Sequence, residues 1–236
     1  MKLGTILTML LIALICCMAL AQTTDDSGRQ AVPLTSTEGL ELINVKAEVV
    51  EHKGQKSLRV TRSNDEANVE RLVIIPGIEF ENGSIEIELA GEPAADANTE
   101  ARGFVGVAFR VRKMEPLSYE CFYVRPTNGR AEDQLRRNHS TQYVSHPEFP
   151  WHRLRQENPG VYESYVDLVL GEWTKIKIVV SGQEARLYVH GAEQPCLIVK
   201  DLKHGDSKGS VALWSTASTV AHFRNLVVAQ REPQSN

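Results

Sequence analysis

The chain has 236 residues, 42% of them hydrophobic and 24% charged, with a formal net charge of −4. That balance is ordinary for a globular protein. Net negative charge and the lack of a recognised nucleic-acid module argue against a DNA or RNA partner, and four cysteines are too few for a disulfide-dense scaffold.

Residues 1–21 read as a cleaved secretory signal. Lys2 gives a positive start, Ile6 to Ala19 is apolar apart from Thr8, and Ala19-Leu20-Ala21 supplies small residues at the cleavage position. The apolar run is too short and wrongly flanked for a membrane span, and Ile15 before Cys16 does not suit lipidation. The mature chain, from Gln22, is therefore expected to be secreted, extracellular or periplasmic, without membrane insertion. Residues 22–33 are polar and unpatterned and predict a disordered leader. A single domain is expected over 34–230, followed by a short tail over 231–236.

Within that domain the period is two. Ser84 to Leu89 alternates strictly, and 104–112 puts Val105, Val107, Phe109 and Val111 on one side, with Gly106, Ala108, Arg110 and Arg112 on the other. Further strand-like runs are 42–50, 57–61, 69–75, 119–125, 174–180, 185–189, 197–199, 210–214 and 221–228, often punctuated by glycine or asparagine. Many short strands with no amphipathic helix predict an all-β fold of two packed antiparallel sheets. The segment 126–162 interrupts the pattern with four prolines and is expected to be a long ordered loop. Charge is uneven. Residues 22–100 carry 16 acidic against 7 basic side chains, whereas 101–155 carry 10 basic, nine of them arginine, against 5 acidic. The middle third is either an anion-facing surface or a solvated face paired with the acidic first third. Cys121 and Cys196, both in strand-like runs, either bridge or stay free.

The second half carries a family resemblance. Gly103-Phe-Val-Gly-Val-Ala-Phe-Arg-Val-Arg112, followed by Tyr119-Glu-Cys-Phe-Tyr-Val-Arg-Pro126, resembles the central strand pair of laminin G-like, concanavalin A-like domains. Gly171-Glu-Trp-Thr-Lys-Ile-Lys-Ile-Val-Val180, Ala185-Arg-Leu-Tyr-Val-His-Gly191, Gly209-Ser-Val-Ala-Leu-Trp214 and Phe223-Arg-Asn-Leu-Val227 resemble its later strands. Within that superfamily the chain is similar to secreted bacterial domains grouped with the 3-keto-disaccharide hydrolases. The resemblance implies a two-sheet jelly roll and a carbohydrate partner, within a larger glycan-processing assembly. It does not select an activity, because the fold hosts lectins, glycosidases, lyases and adhesive modules.

The candidate residues follow from these patterns. Arg110, Tyr123 and Arg125 offer guanidinium forks beside an aromatic ring, suited to carboxylates and pyranose faces. Arg136 to Tyr143 is the densest polar cluster and adds Arg136 and Gln142 as binding candidates. If the protein is an enzyme, His139 is the candidate base and Tyr143 the candidate donor to a leaving oxygen. His146 and Trp151 are further ligand contacts, Trp151 as a sugar platform or a lid. The prolines of 146–152 argue against helical zinc spacing there, so no metal site is assigned. No cofactor is expected, with calcium left open through Asp201 and Asp206. The clustered acidic motif of laminarinase-like jelly rolls is missing, which disfavours retaining hydrolysis. The leading expectation is a secreted binding domain for acidic or oxidised glycans. The alternatives are a glycan-degrading enzyme, acting on keto-glycosides or uronates, and an adhesive module.

Overall fold

Alternating apolar and polar side chains set the architecture. A computed structural model describes residues 22–24, 28–66 and 69–231; the expected signal segment and residues 232–236 of the expected tail lie outside the described residues. In chain order the strands are β1 (Thr23–Thr24), β2 (Arg29–Val32), β3 (Glu41–Ile43), β4 (Val45–His52), β5 (Gln55–Arg62), β6 (Leu72–Phe80), β7 (Gly83–Pro93), β8 (Val105–Arg112), β9 (Ser118–Val124) and β10 (Thr141–His146). They continue with β11 (Glu163–Ser164), β12 (Thr174–Ser181), β13 (Glu184–Val189), β14 (Leu197–Val199), β15 (Gly209–Ser215) and β16 (Thr219–Gln230). Three short helices, α1 (Pro126–Gly129), α2 (Gln134–Asn138) and α3 (Trp151–Glu157), interrupt this order.

The strands form two antiparallel sheets. One runs β1-β2-β16-β7-β12-β13-β14, with the β4–β5 hairpin attached through β5 to β16; the other runs β11-β10-β9-β8-β15-β6-β3. Ile85, Ile87 and Leu89 of β7 and Ile176, Ile178 and Val180 of β12 bury the alternate side chains of the first sheet. Aromatic contacts stitch the core side of the second: Phe109 lies 6.2 Å from both Phe80 and Phe122, and Phe122 lies 5.5 Å from Tyr143. Each such fully buried ring contributes about 1.5–3 kcal/mol relative to exposure.

Four expectations need correction. The leader expected over 22–33 is not disordered where described, since Arg29–Val32 pairs with Leu226–Ala229 of β16. Val32, at 1% exposure, supplies the burial that the polar stretch before it lacks. The run 42–50 is two strands, because Asn44 takes φ 53 and sends β3 and β4 to different sheets. The segment 126–162 is not one loop: it contains β10 and all three helices. Nor do the prolines of 146–152 exclude a helix, since α3 begins directly after Pro150, at a helix start where no backbone N–H is needed. Cys121 and Cys196 are both free thiols.

Candidate functional site

The outer face of the seven-stranded sheet is built on the pairing of three strands. Tyr123 of β9 lies opposite Gly106 of β8, and Gly106 lies opposite Trp214 of β15. Gly106 is there for space. An added Cβ would fall 2.2 Å from the Phe122 carbonyl oxygen and 2.5 Å from the Tyr123 Cβ. With nothing between them, Tyr123 and Trp214 stack with centroids 4.7 Å apart at 24°. Phe104 meets Tyr123 edge-on at 6.0 Å. These rings, with Tyr119, His146 and the half-exposed Trp151, line a cavity of about 240 Å³.

One carboxylate faces into this aromatic cup. Glu70 Oε2 accepts a hydrogen bond from the Tyr119 hydroxyl, and its Oε1 lies 3.3 Å from His146 Nδ1. Tyr119 OH in turn accepts Trp214 Nε1–H at 3.1 Å. Burial first, then the neighbouring Glu70, pushes the Tyr119 phenol well above its ordinary range, so it stays protonated. The cup is therefore an apolar surface with one fixed acceptor, the composition that suits a pyranose ring with hydroxyls at its edge.

Phe104 and Trp151 also line a second hollow of about 790 Å³, together with Arg102, Arg125, Asn128, Asp133, Arg136, His139 and Arg155. The two spaces share those side chains as a common wall. Beneath the hollow runs a buried polar network. Arg125 donates Nη2 to Tyr123 OH and to Gln142 Oε1, both at 3.0 Å, and Nη1 to the His139 carbonyl at 2.9 Å. Its guanidinium lies 5.2 Å from the Tyr123 ring centroid. Glu163 receives Arg155 Nε at 2.7 Å and Nη2 at 2.6 Å, and lies 3.6 Å from His139 Nε2. Burial raises the Glu163 carboxyl, but the Arg155 hydrogen bonds and the positive charge around it outweigh burial and hold it below its ordinary value. Burial lowers His139, and the Arg155 and Arg125 charges add to that against the opposing pull of Glu163. The imidazole is thus neutral near pH 7 beside an ionised carboxylate. Arg136 donates Nε to Asn128 Oδ1 at 3.0 Å and Nη2 to the Thr127 carbonyl at 3.3 Å. Among the described residues no protein acceptor meets Nη1 of Arg136 or Nη1 of Arg155, although Arg155 is already paired with Glu163 through Nε and Nη2.

The predicted site residues sort accordingly. Tyr123, His146 and Trp151 line the cup; Arg125, Arg136, His139 and Trp151 line the hollow; Gln142 is fully buried and braces Arg125 from below. Two predictions fail. Arg110 is not on the ligand face. A register shift between Phe109 and Arg112 and φ 53 at Arg110 turn it out of the alternation. It is buried and donates to the carbonyls of Glu81, Gly182 and Gly205, tying three turns together. Tyr143 is not a partner of His139. It pairs with Phe122 while Gln142 pairs with Tyr123, so it projects to the core face, where its hydroxyl donates to Glu120 at 2.6 Å and accepts Lys203 N–H at 2.9 Å. Asp201 is held by Lys203 and Tyr162, Asp206 lies 3.6 Å from Arg110, and among the described residues no three metal-ligating side chains converge. No step below uses calcium. Glu70, Phe104, Arg155 and Glu163 were missed as site residues. Strand parity could have flagged Tyr119 beside Tyr123, but nothing local marks Glu70.

No protein-family model and no curated protein sequence matches the chain. Solved structures do match in shape. One is a Bacillus subtilis protein of unknown function with a galectin-like fold, at TM-score 0.55 and 13% identity over 85% of this chain and 96% of that one. Another is the carbohydrate-binding module CBM66 from Bacillus subtilis, at TM-score 0.51 and 12% identity over 80% and 95%. The fold is a concanavalin A-like jelly roll. The exoplasmic/lumenal domain of VIP36, in its Ca2+/Man3GlcNAc-bound form, has a similar jelly roll at TM-score 0.51 and 10% identity over 86% of this chain and 88% of that one. At these identities the likeness concerns the jelly roll alone, and the narrower resemblance to 3-keto-disaccharide hydrolase-like domains rests on sequence motifs. No helix among the described residues is long and apolar enough to cross a membrane.

Proposed function

We propose that the protein is a carbohydrate-binding jelly roll whose ligand is an acidic or oxidised glycan. The observation that carries this reading is the shared wall of Phe104 and Trp151, which joins an aromatic cup to an arginine-lined hollow. The cup supplies faces for stacking and the Glu70 carboxylate for hydroxyls. The hollow supplies four guanidinium groups, from Arg102, Arg125, Arg136 and Arg155, against the carboxylates of Glu100 and Asp133 at its rim. Arg102 is matched by Glu100 at 2.9 Å, Arg125 is held below by its network and Arg155 is paired with Glu163, so Arg136 is the guanidinium left to meet a ligand carboxylate, with Nη1 of Arg155 as a second donor. Carbohydrate is also what CBM66 is named for binding and what the VIP36 domain holds, and export of the chain would place it where glycans are met.

Isothermal titration of the chain with matched neutral and uronic oligosaccharides tests the reading. Uronic oligomers are expected to bind more tightly, with the preference removed in Arg136→Ala and all affinity reduced in Trp214→Ala. Equal affinity for both classes in the unaltered chain would sink the acidic assignment.

A further inference from the structure

The hollow contains more than a binding site needs. His139 is held by its backbone, whose carbonyl accepts Arg125 Nη1 at 2.9 Å and Asn128 Nδ2 at 3.0 Å. Its ring faces Glu163, with Nε2 3.6 Å from Oε1, a near approach beyond hydrogen-bond distance. Glu163 is itself clamped by Arg155 and contacts Arg125 at 3.5 Å. An uncharged imidazole that faces an ionised carboxylate and is set beside two guanidinium groups with unmatched donors is the equipment for removing a proton from carbon next to a carboxylate. The guanidinium groups stabilise the charge that develops on the carboxylate as the proton leaves.

We propose that the hollow is a reaction centre for β-elimination, in which His139 takes the proton α to the carboxylate of a bound uronic acid residue. This rests on the acidic-glycan reading above. The C–H bond breaks and its electron pair becomes a carbon–carbon double bond. The glycosidic C–O bond on the adjacent carbon breaks, and its pair stays on the departing oxygen. The imidazolium then returns the proton to that oxygen. One chain becomes two, one of them with an unsaturated acid at its end, and no water, oxidant or reductant is consumed. His139 is the catalytic residue, Arg136 and Arg155 bind the carboxylate, and Glu163 is a positioning residue. Hydrolysis by a pair of carboxyl groups has no free pair to use here. Asp133 caps the backbone N–H of Arg136 at 2.6 Å, Glu100 pairs with Arg102, and Glu163 is committed to Arg155.

The test is incubation of the full chain with oligomers of galacturonate, glucuronate, mannuronate and guluronate. Ultraviolet absorbance of the conjugated acid and product masses are read together with retention of the intact oligomers. Elimination gives rising absorbance and product masses that sum to the substrate. His139→Gln is expected to lower turnover by about 100-fold or more while binding stays within about threefold. Arg136→Ala is expected to lose turnover together with the preference for uronic over neutral oligomers, and Glu163→Gln to move the pH profile of turnover. Retained oligomers with no new product in the unaltered chain overturn the reaction and leave the binding reading standing. Products heavier by one water overturn elimination. Turnover unchanged in His139→Gln overturns the role of His139, and no retention of any glycan removes the binding reading itself.

Discussion

Replacing Glu163 by glutamine is the sharpest perturbation of the network under the hollow. The carboxylate is 2% exposed and receives two charge-assisted bonds from Arg155, at 2.7 and 2.6 Å, with Arg125 at 3.5 Å. Glutamine keeps the shape and one acceptor but removes the negative charge between two guanidinium groups. Breaking a buried pair in this way costs about 3–5 kcal/mol when both partners are fully enclosed. Arg155 is 32% exposed and can turn to water, and Arg125 keeps Gln142, Tyr123 and the His139 carbonyl, so the lower end applies. A loss of about 3 kcal/mol lowers the melting temperature by about 6–12 °C in a domain of this size. Chemical denaturation at pH 7 measures it. The linkage sign is fixed by the lowered carboxyl: its contribution is present above the unfolded carboxylate value and is lost as pH falls through the lower folded value. The gap between the two proteins is therefore expected to close on acidification. A loss under about 1 kcal/mol at pH 7 would refute the reasoning, because it would mean the pair behaves as a surface salt bridge.

Other consequences follow from single contacts. Gly106→Val puts atoms where the Phe122 carbonyl and Tyr123 Cβ already are; overpacking is expected to cost about 1–3 kcal/mol and to abolish oligosaccharide binding by separating Tyr123 from Trp214. Calorimetry and glycan titration read the two effects. Arg110→Met removes donors from three half-buried carbonyls and is expected to destabilise by about 1–3 kcal/mol, with glycan affinity of the folded protein unchanged; lost affinity would return Arg110 to the site. His222 stacks on His52 at 3.9 Å, and burial, with His52 and Arg59 adding, lowers it to about 4. A histidine depressed on folding contributes stability above its unfolded pKa of about 6.5 and loses it as pH falls towards 4, worth about 2 kcal/mol by pH 5. In His222→Gln the fall in melting temperature between pH 7 and 5 is expected to be smaller; an unchanged slope would contradict the assignment.

The jelly roll was legible because period-two alternation is a local property, visible in Ile85, Ile87 and Leu89 without knowing their partners. The cup was half legible: Tyr123, His146 and Trp151 stand out as aromatic or titratable residues in polar surroundings. Glu70 does not, because its partners Tyr119 and His146 lie 49 and 76 positions away and only sheet pairing brings them together. Alternation also misled where it was interrupted. Arg110 sits at a bulge that reverses its side, and Tyr143 belongs to a strand that starts at Thr141 inside what reads as a loop. Glu163 follows a helix that the prolines conceal, so its meeting with Arg155 and His139 has no local signature.

If the two spaces form one site, a single glycan chain lies across both the cup and the hollow. A crystal structure of the protein soaked with an oligouronate tests it most directly. The expected result is a sugar stacked on Tyr123 and Trp214, the chain passing Trp151, and a carboxylate on Arg136 and Arg155. An oligouronate seated instead on the outer face of the nine-stranded sheet, beside Lys175 and Tyr188, would contradict it.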